Sequence, residues 1–237
     1  MEAFTSWRHW QDGPTELKPL ADRAFCEGTN HFTFHTAAHR PPEVGLPGWV
    51  YTAGTHFSPH IAWWPLAGSF VDYLSRSCFL LQQGRFVADV CYYYGDQGFN
   101  TVPPKHIDPS LGFGFDYDVV NAEVLLSRAR MEKGRLSFGH GTSYAVLVLP
   151  DKREIQPAVL AKLAELVEQG LTVVGPRPVR GNSLTDYPRC DEQVKELSSQ
   201  LWGAGDPVAE RSIGKGCLID DAEMRRAKIS NLEGKDS

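Results

Sequence analysis

The chain has 237 residues, and its 42% hydrophobic and 22% charged residues are typical of a folded globular protein rather than a disordered one. Lys and Arg number 24 and Asp and Glu 29, so the formal net charge is −5. No basic stripe is concentrated in the sequence, which argues against nucleic acid as a partner. No apolar run approaches the ~20 residues of a membrane span, which argues against a membrane partner. The N-terminus lacks the basic and apolar segments of a signal peptide.

The cysteines indicate a reducing compartment. Their number is five, which is odd, and no two of them form a C-x-x-C pair. This usage predicts free, mostly buried thiols rather than a disulfide framework. The five residues are Cys26, Cys78, Cys91, Cys190 and Cys217.

The first part of the chain predicts one and a half strand–helix units. Glu2–Thr5 has the pattern of a strand end, and Thr15–Gly28 predicts a helix that begins with Thr15 as its N-cap. His31–His35 alternates with a period of two and predicts a strand, whereas Phe70–Gln83 predicts a second helix. These elements are too few to close a barrel or a sheet by themselves.

From Gly84 onward, strands alternate with helices, which predicts a parallel sheet covered on both faces, a flavodoxin-like doubly wound domain of the α/β class. In the helix from Pro157 to Gly170, apolar residues recur at three-to-four spacing and predict one core-facing stripe. The predicted strands are Arg85–Tyr94, Tyr144–Leu149, Leu171–Val174 and Gly216–Ile219, and the other predicted helices are Asp118–Leu126 and Asp191–Trp202.

Histidine and tryptophan are concentrated before Pro65, where six of the eight histidines and five of the six tryptophans lie. Rings and imidazoles at this density either line a polar cleft that binds sugars or bases, or fill gaps in a loop-rich segment. His31, His35 and His39 recur at four-residue steps. On a helix this spacing would suit zinc, but the strand pattern favours hydrogen-bonding residues at a strand end or structural histidines.

Two carboxylates are candidates for acid/base chemistry. Glu2 ends a predicted strand, where catalytic groups of α/β barrels lie, whereas Glu27 ends a helix and precedes the next strand. Either could also be a plain surface carboxylate. Cys91 and Cys190 lack the flanking glycines of an amidotransferase nucleophile turn, and no phosphate-binding glycine motif is present. We therefore interpret the second domain as non-catalytic.

Several ordered motifs resemble glycoside hydrolase family 106, the α-L-rhamnosidases, over roughly residues 1 to 219. They include Glu2-Ala-Phe-Thr-Ser6, Leu17-Lys-Pro-Leu-Ala-Asp-Arg-Ala-Phe-Cys-Glu-Gly28, Asn30-His-Phe-Thr-Phe-His35, Gly54-Thr-His-Phe57, Trp63-Trp64, Leu80-Leu-Gln-Gln-Gly-Arg-Phe-Val-Ala-Asp89, Val102-Pro-Pro-Lys-His106, Phe115-Asp-Tyr-Asp118, Asn121-Ala-Glu-Val-Leu125 and Thr172-Val-Val-Gly-Pro-Arg-Pro178.

The resemblance implies three regions. Residues 1–83 would be the C-terminal part of a (β/α)8 catalytic barrel, residues 84–219 a flavodoxin-like, class I amidotransferase-like domain, and residues 220–237 a frayed tail. Family members are much longer, and full-length relatives are expected to be exported. The missing barrel strands would supply the general acid, so the resemblance implies a fragment that is inactive alone.

The resemblance also implies the chemistry, which is inverting hydrolysis of α-L-rhamnosidic bonds in plant or microbial polysaccharides. The partner would be a rhamnose-containing oligo- or polysaccharide. Glu2 would be the catalytic base, Glu27 would be structural, and the substrate-binding positions would be His35, His39, His56 and Trp63. Calcium is a possible cofactor whose ligands the sequence does not place.

One departure from the family pattern is Ser58-Pro-His60, where the family more often has Asn-Arg-Asn.

A second class of function stays open, a non-catalytic truncated structural or interaction protein with a flavodoxin-like fold. An upstream reading frame encoding the rest of a barrel would discriminate between the two. The sequence predicts no oligomeric state, and it indicates no location beyond the reducing environment that the cysteines favour.

Overall fold

The structure is a computed structural model that describes residues 1–8, 11–46, 48–54, 57–96, 116–205 and 209–220. The chain is of the α/β class and divides into two compact units, residues 1–86 and residues 87–237. None of the helices in the described ranges has the length and apolar character needed to cross a bilayer.

The first unit contains a parallel strand–helix–strand arrangement, as the sequence predicts. Its two strands pair with Glu2 opposite Thr33 and Ala3 opposite Phe34. The elements in chain order are β1 (Glu2–Ala3), α1 (Pro14–Cys26), β2 (Thr33–Phe34), a 3₁₀ helix (Trp64–Leu66) and α2 (Gly68–Gln83).

Helix α1 begins one residue before Thr15, so the prediction of Thr15 as its N-cap is wrong. Gly13 is the N-cap, and its backbone N–H donates to Glu16 Oε2 at 3.0 Å. Pro14 occupies the first helical position, where its fixed φ suits the helix and its missing N–H costs no hydrogen bond.

The core of the first unit is small and aromatic. Phe4 is 8% exposed, and its ring centroid lies 5.6 Å from that of Phe32, 5.7 Å from Phe34, 5.6 Å from Phe57 and 6.1 Å from Phe70. Tilted aromatic pairs at these separations stabilise a core beyond their buried area. The end of β1 is therefore anchored from several sides.

The second unit contains the larger sheet. The strands and helices of this unit are β3 (Val90–Tyr93), β4 (Tyr117–Val120), α3 (Ala122–Arg128), β5 (Arg130–Glu132), β6 (Arg135–Ser137), β7 (Ser143–Tyr144), β8 (Val146–Val148), α4 (Pro157–Gln169), β9 (Thr172–Val174), α5 (Arg189–Trp202), β10 (Glu210–Ile213) and β11 (Gly216–Ile219). Among the described residues, six strands form the larger sheet in the order β4-β3-β8-β9-β11-β10, and every neighbouring pair is parallel except β11 with β10. Strands β5, β6 and β7 form a separate antiparallel sheet.

Helix α4 confirms the predicted apolar stripe. Leu160, Leu163, Leu166 and Val167 are all fully buried, and the helix contacts α3, α5 and β11. Gln156 is its N-cap and Gly170 its C-cap, with φ of +124° at the glycine. The sequence predicts both ends because proline opens the helix and glycine tolerates this conformation.

One predicted helix begins as a strand instead. Residues Tyr117–Val120 form β4, which pairs in parallel with β3, and the helix starts only at Ala122. Asn121 is the N-cap, and its side-chain oxygen accepts from the Val124 N–H at 3.0 Å. The prediction was wrong because the β-branched Val119 and Val120 continue the sheet.

Candidate functional site

The candidate site lies where β1 and β2 end. Thr5 Oγ1 donates to Glu2 Oε1 at 3.1 Å and lies 3.4 Å from His35 Nδ1. One hydroxyl group therefore connects the carboxylate on the first strand to the imidazole that follows the second. The structure thus brings together two of the residues that the sequence predicts for the site, Glu2 and His35.

The backbone at Phe4 makes this arrangement possible. Residues three apart on a regular strand point to opposite faces, so an extended chain would separate the side chains of Glu2 and Thr5. Phe4 has a φ of +67°, a conformation that bulky residues rarely adopt. The aromatic packing around its ring offsets this strain and holds the turn that directs Thr5 back toward Glu2.

A second segment encloses His35. The Gly54 N–H donates to the Ser6 carbonyl oxygen at 2.6 Å, which ties this segment to the chain after β1. Gly54 has a φ of +103°, and a Cβ there would lie 2.7 Å from the His35 carbonyl oxygen and 2.9 Å from His35 Nδ1. The position therefore requires glycine both for its backbone conformation and for the space beside the imidazole.

The ring of Tyr51 contacts His35. Its ring meets the imidazole edge to face, with centroids 5.2 Å apart, and the tyrosine side chain is 57% exposed. An exposed aromatic ring beside a carboxylate, a hydroxyl and an imidazole provides an apolar face together with polar groups that bind hydroxyls. This combination suits a carbohydrate.

The other predicted site residues lie in different surroundings. His39 forms an isolated antiparallel bridge with Trp49, whose N–H donates to the His39 carbonyl oxygen at 2.8 Å. Trp63 is half-buried, its ring is edge-on to Phe57 at 5.7 Å, and its Nε1 donates to the Asp12 carbonyl oxygen at 3.2 Å. Sugar contacts by His39 and Trp63 stay predictions, and His56 lies outside the described residues.

Glu27 lies away from the candidate site, and the described residues form no metal-binding cluster. Glu27 is the C-cap of α1 and pairs with Arg23, with 2.9 Å between Glu27 Oε1 and Arg23 Nε. In the part of the chain that the structure describes, no three His, Cys, Asp or Glu side chains converge in a geometry that would hold a metal ion. The described residues therefore provide no zinc-type cluster of these side chains.

Cys91 and Cys190, the two thiols compared with an amidotransferase nucleophile, are both buried in the second unit. Cys91 lies in β3 and is 1% exposed. Burial, together with the nearby carboxylate of Asp118, raises the pKa of its thiol well above the ordinary value. Cys190 is also buried, at 3% exposure. The buried, protonated Cys91 thiol is therefore not reactive, in agreement with the lack of a nucleophile motif around it.

Sequence reasoning missed Thr5, Tyr51 and Gly54 as parts of the site. Thr5 and Gly54 do stand within the motifs Glu2-Ala-Phe-Thr-Ser6 and Gly54-Thr-His-Phe57, so their position in a motif was an available signal. Tyr51 has no such signal, because only the fold brings it beside His35.

Comparison with known proteins shows similarity along most of the chain. The model of glycoside hydrolase family 106, described as alpha-L-rhamnosidase, matches residues 1–235. A protein of Formosa agariphila named "Putative beta-glucuronidase" is 39% identical over 206 residues, which is 86% of this chain and 17% of that protein.

Two solved structures are also similar. The structure of a rhamnosidase from Novosphingobium sp. PP1Y aligns with a TM-score of 0.79 and 28% identity, over 98% of this chain and 22% of that one. The GH42 beta-galactosidase Gan42B aligns with a TM-score of 0.56 and 13% identity, over 99% of this chain and 43% of that one, and shares the fold alone. The chain thus spans 17% of the Formosa protein and 22% of the rhamnosidase.

Proposed function

The chain belongs to glycoside hydrolase family 106, and we propose that it is part of an enzyme that cleaves α-L-rhamnosidic bonds in plant or microbial polysaccharides. The observation that carries this proposal is the carboxylate of Glu2, linked through Thr5 to His35 at the ends of two adjacent parallel strands. Catalytic groups of α/β barrels occupy this end of their strands.

We assign residues 1–83 to the C-terminal part of a (β/α)8 barrel. The parallel pairing of β1 with β2 across the intervening α1 supports this assignment, since it is the repeating unit of such a barrel. In this assignment, the two strands among the described residues of the unit would provide part of a cleft wall.

We assign residues 84–219 to a flavodoxin-like domain without a catalytic role, similar to class I amidotransferases. The parallel strands, numbered by their order along the chain, lie in the order 2-1-3-4-5 when β3 is the first and β11 the fifth. This is the order of flavodoxin-like folds, which supports the assignment. The buried Cys91 thiol supports the absence of nucleophilic catalysis.

In the proposed mechanism, Glu2 is the general base of an inverting reaction. The Thr5 hydroxyl holds one carboxylate oxygen, Oε1, and leaves the other to accept a proton from the attacking water. His35, with Nδ1 toward Thr5, presents Nε2 to a sugar hydroxyl. The general acid of an inverting pair lies roughly 6.5–9.5 Å from the base, and we place it outside this chain.

The direct test uses two proteins. In the Novosphingobium rhamnosidase, glutamine at the position aligned with Glu2 should lower kcat on an aryl α-L-rhamnoside by about 10²–10⁴-fold, with little change in melting temperature. Glutamine at the position aligned with Glu27 is the control and should retain activity. The assignment would be contradicted if the variant at the Glu27 position were inactive and the variant at the Glu2 position retained activity.

The second arm tests the isolated 237-residue chain. We expect no turnover of an aryl α-L-rhamnoside, because a hydrolase needs both carboxylates fixed in a closed scaffold. The same assay with an aryl β-D-glucuronide tests the activity in the name of the Formosa relative. Turnover of either substrate that is lost on Glu2→Gln would show that the chain alone holds a complete site.

A further inference from the structure

A pocket in the second unit has three cationic side chains in its lining. It lies at the end of α3 and the start of β5, beside the turn after β6 and one side of α4, and its volume is about 540 Å³. Phe138, which packs against the hydrophobic core, is part of its lining. Among the described residues the lining includes no Asp or Glu, and its cationic or imidazole members are Arg128, Arg130, His140 and Lys162.

Two of these side chains have no partner within the described part of the chain. Neither Arg128 nor His140 makes a hydrogen bond or an ion pair there, and both are exposed. Arg128 lies in the last turn of α3, where a cation is favourable beside the helix C-terminus. That interaction leaves the N–H groups of its guanidinium open to a ligand.

The other two cations are partly paired. Arg130 uses Nε to bind Glu132 Oε1 at 2.6 Å, and its two terminal nitrogens have no acceptor among the described residues. Lys162 Nζ lies 3.0 Å and 2.9 Å from the two carboxylate oxygens of Glu165, and its side chain is 18% exposed. The pocket therefore has a surplus of positive charge after both pairs are counted, although the whole chain carries −5.

The turn beside the pocket leaves the Arg130 guanidinium uncovered. His140 has a φ of +57°, between Gly139 at +87° and Gly141 at +80°. A Cβ at Gly139 would lie 3.6 Å from Arg130 Nη2, in van der Waals contact, whereas glycine leaves that nitrogen open. The turn thus holds His140 in a left-handed backbone conformation, which histidine adopts more readily than most residues, next to the donors of Arg130.

We propose that this pocket binds the anionic group, carboxylate or sulfate, of an acidic sugar. Guanidinium groups match the oxygens of both anions and bind them through parallel N–H donors. His140 and the ring of Phe138 then contact the sugar that carries the charge. The sugar part of the ligand rests on the proposed carbohydrate function, whereas the anion site rests on the pocket alone.

The test is an NMR titration of the 237-residue chain with sodium glucuronate, with a sulfated monosaccharide and with neutral rhamnose. Sodium chloride keeps the ionic strength constant, because electrostatic binding is screened by salt. We expect saturable shifts at the backbone amides of Gly139 and His140 with either or both acidic sugars, and none with rhamnose. Which acidic sugar binds identifies the anion as carboxylate, sulfate or both.

The pocket variant combines Arg128→Gln with Arg130→Gln, and the matched control combines Arg189→Gln with Lys195→Gln. Both variants lose two positive charges, but the control positions lie on α5, away from the pocket lining. We expect the dissociation constant to rise at least tenfold in the pocket variant and to stay within twofold in the control.

Three results would overturn the proposal: no saturable shift with either acidic sugar, equal weakening in both variants, or an equal response to rhamnose. A Glu2→Gln chain should bind the acidic sugar as the unmodified chain does. If the rhamnosidase experiment failed while this binding persisted, the proposed hydrolase role would be wrong and the anion site would stand.

Discussion

Thr5 Oγ1 lies 3.4 Å from His35 Nδ1, although thirty positions separate the two residues in the sequence. Because the same hydroxyl donates its proton to Glu2 Oε1, it can only accept from the imidazole. His35 must therefore carry a proton on Nδ1, which in the neutral ring leaves Nε2 as an acceptor. The contact determines which nitrogen of His35 is available to a substrate.

Replacing Thr5 by valine should change the tautomer of His35. Thr5→Val keeps the shape of the side chain and removes the hydroxyl, so Nδ1 loses its acceptor. We expect the ¹⁵N shifts of the imidazole to show protonated Nδ1 in the unmodified chain and a shift toward protonated Nε2 in the variant. Thr5→Ser retains the hydroxyl and is the control. Identical tautomer populations in all three chains would contradict the proposed bridge.

Gly54→Ala should destabilise the first unit. The new methyl group would lie within 3 Å of two His35 atoms, and alanine disfavours the glycine φ of +103°. We expect a loss of about 1–3 kcal/mol in the free energy of unfolding, measured by denaturation with tryptophan fluorescence. Gly68→Ala is the matched control, since a Cβ there has no neighbour within 4 Å. Equal free energies of unfolding for the two variants would show that His35 can move away from the new methyl group without destabilising the fold.

The elements predicted correctly are those with a strong local pattern. The stripe on α4 repeats at helical spacing between a proline and a glycine, and all four of its predicted residues are buried. Strand β11 was predicted with its observed bounds, but its hairpin partner β10 and the hairpin β5–β6 were not. These strands have three or four residues, and the two hairpins turn at Lys133-Gly134 and Gly214-Lys215, so the strands are too short to show a clear alternation of apolar and polar residues.

The site was predictable only in part, for a related reason. Glu2 and His35 each end a segment with a strand pattern, and catalytic groups are common at that place. Their link through Thr5 depends on the left-handed backbone at Phe4, which is enforced by aromatic rings distant in sequence. No local pattern indicates a positive φ at a phenylalanine, so tertiary packing alone accounts for this part of the site.

Asp96 should contribute to the stability of the second unit. It follows β3, and its two carboxylate oxygens accept from the backbone N–H and the side-chain Nε2 of Gln156, each at 3.0 Å, at the start of α4. Tyr93 Oη also donates to Asp96. We expect Asp96→Ala to lower the free energy of unfolding by about 1–3 kcal/mol, since it leaves several donors unpaired. Asp151→Ala, at an exposed carboxylate, is the control, and an equal loss there would contradict this role.

The second unit should lose stability in alkali. Burial, with a smaller contribution from Tyr117, raises the pKa of Tyr92 to about 12, whereas an unfolded tyrosine titrates near 10. Between these pH values the unfolded chain has lost the Tyr92 proton, whereas the folded chain retains it. The contribution of the protonated tyrosine to the free energy of unfolding is therefore fully present below pH ~10 and is lost as pH rises toward 12. Tyr93, Tyr144 and Cys91, whose pKa values are also raised by burial, contribute to the same fall, so Tyr92→Phe should make it less steep in chemical denaturation between pH 9 and 12. Tyr187→Phe, at a ring that is 63% exposed, should not, and an equally steep fall in both variants would argue against Tyr92.

Limited proteolysis should distinguish the two units. Leu46, Trp49 and Tyr51 are 63%, 62% and 57% exposed and stand in a segment with little regular structure, so a protease that cleaves after large apolar residues should cut there first. The second unit holds its apolar residues in a buried core around α4, and cleavage there requires opening that core. We expect a resistant fragment that begins after residue 51 and retains α4 and α5, identified by mass spectrometry. Replacing Leu46, Trp49 and Tyr51 together by serine should delay the first cut, and simultaneous cleavage of both units at the same rate would show that they do not differ in stability.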